Sequence, residues 1–170
     1  MPSKEAASTD LDQIHLTQFL SHQHLCDSLT IGEIHILLGY LTLMDLKKGE
    51  ILSDIGDVGD SLYLVVKGEI AVTFDERGEE GEVVRAASGG LVGVMSFFDK
   101  QPRSVRLVAK APKTQVLKLS RAMYKRMKVE QPYIAINIVE QAIISLDNLF
   151  RRVSSDFAQF SHYLYGAGYK

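Results

Sequence analysis

Residues 93–106, GVMSFFDKQPRSVR, carry the clearest chemical potential in the chain. Arg103 follows Pro102, and a guanidinium group can hold two oxygens of one phosphate. Ser104 places a hydroxyl directly after the arginine. Backbone N–H groups of a short helical turn after Gly93 would supply further donors to an anion. These residue types and their order predict an anion-binding site.

Other reactive side chains do not form a recognisable set. The histidines are His15, His22, His24, His35 and His162. None lies in the β-rich middle of the chain, where a metal-dependent enzyme of similar architecture would need them. Cys26 has no oriented base in the sequence around it, and we interpret it as a packing residue. The carboxylates Asp57, Asp60, Glu79 and Glu80 are typical of solvated turns. We therefore expect no enzymatic activity, no metal and no cofactor.

The composition is that of a globular domain, with 170 residues, 46% hydrophobic residues and a net charge of -2. This charge argues against binding of nucleic acid through bulk electrostatics. The single cysteine excludes an internal disulfide and suits a reducing compartment, so we expect a cytoplasmic protein. The polar N-terminus lacks a signal-peptide core, and no stretch approaches the length of a membrane span, so we expect no membrane contact.

Three regions must position the anion site. We expect a mobile tail over residues 1–10, a domain over 11–128 and a long helix over 129–165, with a short tail over 166–170. Within the domain, helical periodicity covers residues 11–46, and Thr30 with Glu33 has the spacing of a capping box. Short β-rich runs broken by glycines cover residues 47–120 and predict a compact β-roll. The predicted class is α+β, mainly β.

The last helix, predicted from Pro132 to Tyr165, carries an uninterrupted apolar seam. Its apolar residues are spaced alternately by four and three, as in a coiled coil. At 1.5 Å per residue the helix would be roughly 50 Å long and would extend beyond a small β-domain. We expect a homodimer through this seam, the alternative being a helix folded back over its own β-core. The seam consists of Val139, Ile143, Leu146, Phe150, Val153, Phe157, Phe160 and Leu164.

The glycine pattern of residues 49–72, GEILSDIGDVGDSLYLVVKGEIAV, resembles the cyclic-nucleotide-binding domain family, which includes catabolite-activator-type regulators and protein kinase A regulatory subunits. The resemblance covers roughly residues 15–165 and implies a jelly-roll-like β-roll with helices before it and a long helix after it. Glycines permit the tight turns of such a roll, so they support the fold without indicating a ligand. The matching positions are Gly49, Glu50, Gly56, Asp57, Gly59, Asp60, Tyr63, Gly68, Ile70 and Val72.

Residues 93–106 align without gaps to the phosphate-binding cassette of that family. The resemblance implies that Arg103 binds the phosphate and that Ser104 also reaches it. It further implies that the long helix covers the base, for which Ser145 and Asn148 are the candidates. The candidate ligand-binding residues of the cassette are Gly93, Val94, Met95, Pro102, Arg103 and Ser104.

The cassette departs from the family at three positions. Val94 stands where the family has a glutamate that accepts a hydrogen bond from the ribose 2′-hydroxyl. Arg106 replaces a small residue, and Gly90 replaces an acid. Loss of a charged hydrogen bond, worth about 1.5–3 kcal/mol, predicts binding weaker by on the order of 10- to 150-fold. Either Arg103 binds another anion, or Asp99 or another carboxylate pairs with it in a vestigial pocket.

Two functions stay open. The first is a non-catalytic regulatory protein that senses cyclic AMP, cyclic GMP, a cyclic dinucleotide or a related nucleotide and signals through an unidentified protein partner. The second is a ligand-independent dimeric scaffold with a degenerate pocket. The sequence ends at YLYGAGYK, without room for a helix-turn-helix domain after the long helix, so we expect no direct contact with nucleic acid.

Overall fold

The computed structural model describes the backbone of residues 4–165 and the side chains of residues 12–75 and 77–162. The helices are α1 (Lys4–Ser21), α2 (Ile31–Leu38), α3 (Val94–Asp99), α4 (Arg121–Glu130) and α5 (Pro132–Tyr165), and a 3-10 helix spans His24–Cys26. The strands are β1 (Thr42–Leu46), β2 (Ile51–Ser53), β3 (Ser61–Lys67), β4 (Ile70–Glu76), β5 (Glu79–Ala86), β6 (Leu91–Val92), β7 (Arg106–Ala109) and β8 (Thr114–Ser120).

Across residues 4–165 the strands form two four-stranded sheets, with orders β1-β8-β3-β6 and β2-β7-β4-β5. The pairs are antiparallel, and irregular register occurs in β2, β3 and β4. This arrangement confirms the predicted class, a mainly antiparallel β-roll between N-terminal helices and a long C-terminal helix. None of the described helices combines the length and the apolarity needed to cross a bilayer.

Strand β3 lies between two apolar cores, which explains its continuous run of buried residues. Leu62 and Leu64 pack with the helices, whereas Tyr63 and Val65 point into the roll. Successive side chains of a strand point to opposite faces of the sheet, so an uninterrupted apolar run is expected only where both faces are covered. The helical layer is thus fixed to the sheet that also carries β6, the strand leading into the cassette.

The predicted helical region of residues 11–46 needs correction at both ends. Helix α1 begins at Lys4, inside the predicted N-terminal tail, because residues 4–10 contain no proline or glycine that would interrupt it. Helix α2 ends before Gly39, and Thr42–Leu46 form strand β1, which pairs with β8. Long-range pairing has therefore overridden the helical periodicity of these residues. The capping box of Thr30 and Glu33 is confirmed.

The C-terminal helices follow the expected pattern. Ser120 caps α4 by accepting a hydrogen bond from the Met123 N–H at 3.2 Å, and α5 runs from Pro132 to Tyr165. Pro132 suits the first turn of a helix, where its missing N–H is not required. The predicted helix stop at Gly166 and the predicted tail of residues 166–170 lie outside the described residues.

Candidate functional site

Gly93 starts the cassette, which we define as residues 93–106. It has a φ of 84° and forms the N-cap of α3. A Cβ at this position would lie 3.2 Å from both Nη2 of Arg103 and the carbonyl oxygen of Ser61. Glycine thus supplies both the left-handed backbone and the space that the arginine occupies.

The backbone of Arg103 is held against the turn that follows β2. Its N–H donates to the carbonyl of Asp57 at 2.8 Å, and its carbonyl accepts from the N–H of Gly56 at 2.8 Å. Pro102 forms an antiparallel bridge with Val58 next to these bonds. Because the N–H and the carbonyl of Arg103 are both hydrogen-bonded, the direction in which its side chain leaves the backbone is fixed.

Ser96 and Gly59 complete this support, and neither was singled out for the site from the sequence. The Ser96 hydroxyl accepts from the Gly59 N–H at 2.6 Å and donates to the Gln101 carbonyl at 2.7 Å. A Cβ on Gly59 would lie 2.7 Å from both Nη2 of Arg103 and Oγ of Ser96. Gly59 is therefore needed for the close approach of its turn to the cassette.

The guanidinium of Arg103 is buried, with 7% of the residue exposed. Nη2 donates to the Ser61 carbonyl at a long 3.4 Å, and the buried Nε has no hydrogen-bond partner within the described part of the chain. Among the described side chains, no carboxylate forms an ion pair with Arg103. The Asp99 carboxylate instead accepts a hydrogen bond from the Gln101 N–H at 2.8 Å.

The electrostatics of Arg103 reflect this burial. Desolvation lowers the pKa of the guanidinium from its ordinary value, and the neighbouring acidic groups, Tyr63 first and then Asp57 and Asp60, oppose that shift. Burial, followed by the charge of Asp60, raises the pKa of the Tyr63 hydroxyl. An arginine stays protonated at neutral pH, so the site holds a buried positive charge with at least one free donor.

Arg121, the first residue of α4, holds the cassette from the other side. Its guanidinium donates to the carbonyl of Phe97 at 2.6 Å and to the carbonyl of Gly59, and it lies 5.2 Å from the centre of the Phe97 ring. Phe97 and Phe98 also pack edge-on against Tyr124 of α4, at 5.5 and 5.8 Å between ring centres. These contacts connect the cassette to the helix that precedes α5.

A cavity of about 740 Å³ lies between the cassette, strands β5 and β6, and helix α5. Its volume is within the range of small-molecule sites. Pro102 does not line it and supports the backbone of Arg103 instead. The predicted site residues that do line it are Gly93, Val94, Met95, Arg103, Ser104, Ser145 and Asn148.

The departures from the family pattern have different structural outcomes. Val94 lines the cavity, but the residue is only 5% exposed and packs with the helical core. Arg106 lies on β7, where its Nε donates to the Asp54 carboxylate at 2.7 Å, and it does not line the cavity. Gly90 lines the cavity, and its N–H donates to the carbonyl of Ala87.

The polar residues of α5 reach the other side of the cavity. The Ser145 hydroxyl donates to the carbonyl of Leu91 at 3.5 Å and thus joins α5 to the strand before the cassette. Asn148 is exposed along the same wall. A base-covering role for these two residues stays a prediction.

The apolar seam of α5 changes environment along its length. Val139 is half-buried and Leu146 packs against the core of its own chain, whereas Ile143 is exposed. The later members of the seam are all exposed: Phe150, Val153, Phe157 and Phe160. The exposed fraction is 71% for both Phe150 and Phe157. The side chain of Leu164 lies outside the described residues. The end of α5 therefore presents an apolar row that has no partner among the residues the structure describes.

The other reactive groups do not converge. Cys26 is buried, and desolvation, with a smaller contribution from the charge of Asp27, raises the pKa of its thiol to about 11. A thiol of this kind is a poor nucleophile at neutral pH. Within the described side chains, no group of three or more His, Cys, Asp or Glu residues is arranged to hold a metal ion.

Comparison with known families identifies the class of protein. Residues 43–129 match the cyclic nucleotide-binding domain family, and the chain belongs to that family. The match covers the β-roll and α4, including the cassette and Arg121. The predicted resemblance is therefore confirmed.

Two relatives carry regulatory or receptor names. The chain is 31% identical over 91 residues to a cAMP-dependent protein kinase regulatory subunit of Mucor circinelloides f. lusitanicus, an alignment that covers 54% of this chain and 21% of the relative. It is 30% identical over 107 residues to the Cyclic AMP receptor protein of Thermus thermophilus, covering 62% of this chain and 49% of the relative. The chain thus spans half or less of these relatives.

Solved structures show the same fold. A cyclic nucleotide-binding domain from Methylobacillus flagellatus superposes with a TM-score of 0.77 at 23% identity, covering 88% of this chain and 84% of that one. The Thermus thermophilus Catabolite Activator Protein superposes with a TM-score of 0.66 at 27% identity, covering 81% and 62%. The first of these extends the likeness beyond the family match to most of the chain.

Proposed function

We propose that this chain is a non-catalytic regulatory module that binds a cyclic nucleotide or a related phosphate-bearing nucleotide at Arg103. The observation that carries the proposal is the buried guanidinium of Arg103, a residue that lines a ligand-sized cavity and whose Nε has no hydrogen-bond partner among the described residues. A buried charge without a counter-ion is costly, and an anionic ligand would supply the missing acceptor.

The first candidate ligands are cyclic AMP, cyclic GMP and cyclic dinucleotides. Relatives named as cAMP-dependent protein kinase regulatory subunit and Cyclic AMP receptor protein support this choice. The lining residues Ser104 and Asn148 would add hydrogen bonds at the two ends of a nucleotide. Arg103 would hold the phosphate through paired N–H donors.

The output of the module would pass through α5 to a second copy of the chain and to a protein partner. Arg121 joins the cassette to α4, and Ser145 joins β6 to α5, so a ligand between these elements would bias the position of the long helix. The exposed phenylalanines at the end of α5 provide an apolar surface for a dimer.

A ligand-independent dimeric scaffold is the second candidate. It is favoured by Val94, which places an apolar, largely buried side chain in the cassette wall. In that case the roll would serve only to carry α5, and Arg103 would contribute to folding alone.

Calorimetric titration at near-physiological salt separates the two functions. We expect cyclic AMP, cyclic GMP or a cyclic dinucleotide to bind, and Arg103→Gln to weaken binding more than about 100-fold, since two charged hydrogen bonds are lost. Arg106→Gln removes a guanidinium outside the cavity and is the matched control. Absence of Arg103-dependent heat with all three ligands at millimolar concentrations would contradict the sensor function.

A further inference from the structure

The cavity lining has an uneven distribution of charge. Among the described side chains that line it, three are arginines, Arg85, Arg103 and Arg152, and none is a carboxylate. Arg85 is already paired with Glu69 at 3.0 Å and with Glu82 at 2.9 Å. Of the three, only Arg103 is buried. The lining therefore suits an anionic head group at Arg103 and does not suit a cation.

The wall beside Arg103 is apolar. Val94 follows Gly93, which lies against the guanidinium, and Val92 and Leu107 line the same cavity and are buried. Helix α5 adds Ile144, which faces the cavity from the opposite element. If the anionic group of a ligand binds Arg103, the ligand atoms next to that group would therefore contact these apolar side chains.

The lining contains three serines, and Ser104 is exposed next to Arg103, where it would meet the anionic group itself. Ser88 donates to the carbonyl of Val66 at 2.9 Å, and Ser145 donates to that of Leu91. A ligand hydroxyl buried beside Val94 would meet no carboxylate acceptor among the described side chains of the lining. Burying an unpaired hydroxyl weakens binding by about five- to a hundredfold.

Resting on the proposed function, we propose that the cavity selects anions whose portion next to the charged group is apolar. The class comprises organic phosphates and carboxylates with an aliphatic or aromatic body, and its nucleotide members are cyclic nucleotides whose sugar 2′-hydroxyl is absent or substituted. The anionic group would accept from Nε of Arg103, and the body would contact Val94 and Ile144. Asn148 would meet any polar group at the far end.

The test is a titration of the full chain with four probes: cyclic AMP, 2′-deoxy-cyclic AMP, phenyl phosphate and decanoate. The two nucleotides differ only at the 2′ position, so their ratio measures the response of the cavity to that hydroxyl. We expect the deoxy form to bind at least as tightly as cyclic AMP. Val94→Gln supplies an acceptor without a charge and should shift the ratio towards cyclic AMP by about tenfold, whereas Val94→Ile should leave it unchanged.

The outcomes separate this inference from the proposed function. A wild-type preference for cyclic AMP above about threefold, lost in Arg103→Gln, overturns the inference and leaves the sensor function in place. Binding of phenyl phosphate or decanoate that depends on Arg103, without nucleotide binding, supports the inference and identifies a non-nucleotide source. If none of the four probes binds through Arg103, the inference is overturned, and the sensor function is overturned as well when cyclic GMP and the cyclic dinucleotides also fail to bind. The ratio measured on the wild-type chain needs no variant, so it decides the inference even if a Val94 variant folds poorly.

Discussion

The cassette and the end of α5 both contain groups that have no partner among the described residues, but the groups are of opposite kinds. The cassette is held by hydrogen bonds with Gly56, Asp57 and Gly59, and what lacks a partner there, among the described residues, is one buried polar group on Arg103. At the end of α5, over residues 150–160, every residue is exposed, and what lacks a partner is an apolar row. We propose that the first region binds an anion and that the second binds an apolar surface.

Because the two regions contain different kinds of unpartnered groups, anion binding by the cassette and assembly through α5 can be tested separately. A polar change at the end of α5 should leave the cassette intact, because the exposed phenylalanines contribute nothing to the core of their own chain. A change at Arg103 should leave assembly intact unless ligand binding and the position of α5 are coupled. Each region can therefore be disrupted while the other serves as an internal control.

The largest effect is expected at the end of α5. Phe150→Glu with Phe157→Glu should convert a dimer into monomers, since burying each phenylalanine is worth about 1.5–3 kcal/mol and like charges would then face each other. Mass measurement by light scattering checks this expectation. Ser155→Glu with Gln159→Glu adds the same number of carboxylates to the exposed helix off the seam and should leave the mass unchanged. An unaltered dimer in the phenylalanine variant would show that the seam is not intermolecular.

A smaller effect is expected at the contact between α4 and the cassette. Arg121→Met should lower the free energy of unfolding by about 2–3 kcal/mol, because the carbonyls of Phe97 and Gly59 lose a charged donor. Ligand affinity should fall as well, since Gly59 also packs against Arg103. Arg126→Met, which removes the exposed pair with Glu130, is the control for denaturant titration. Equal stability of the two variants would rule out a supporting role for Arg121.

The close approach of Gly59 to the cassette gives a third prediction. Gly59→Ala should destabilise the protein by about 1–3 kcal/mol and weaken anion binding, because the added methyl group would displace Arg103 or Ser96. Gly32→Ala introduces the same change in α2, where a Cβ would meet nothing within 4 Å, and should be neutral or slightly stabilising. Unchanged affinity in Gly59→Ala would mean that the turn does not position the guanidinium.

The smallest effect concerns pH. The hydrogen bond from Arg106, followed by that from the Ile55 N–H, lowers the pKa of the Asp54 carboxyl. A lowered folded-state pKa stabilises the protein above the unfolded value of about 3.9, and this contribution is lost as the pH falls through the folded value. Asp54→Asn should therefore flatten the acid limb of a stability–pH curve slightly, because the pair is exposed to solvent. A change in the slope of the curve above pH 5 would instead assign the effect to another group.

Much of the architecture could be predicted because its determinants are local. The glycine turns, the alternating strands and the capping box at Thr30 each depend on a few consecutive residues. The long helix could be predicted as well, since its seam is periodic and Pro132 marks its start. The helical prediction for residues 42–46 is wrong because their strand exists only through pairing with β8, far along the chain.

The site was predictable only in part, for the same reason. Arg103 and Gly93 belong to one continuous motif, so the sequence alone indicates them. The bond between Gly59 and Ser96 joins residues 37 positions apart, and the bond between Arg121 and Gly59 joins residues 62 apart. No local spacing indicates such contacts. The absence of an ion-pair partner for Arg103 among the described side chains also required the tertiary arrangement, because Asp99 is close to it in sequence.

The most direct test of the central claim is the resonance of the Arg103 Nε–H group, assigned by its loss in Arg103→Gln. The Arg103 Nε–H group has no acceptor among the described residues, and we predict that its signal shifts when cyclic AMP or phenyl phosphate is added. The Nε–H signal of Arg106, which is paired with Asp54, should not shift. If the Arg103 signal stays in place at millimolar concentrations of both anions, Arg103 is not a ligand-binding residue and the proposed anion site is contradicted.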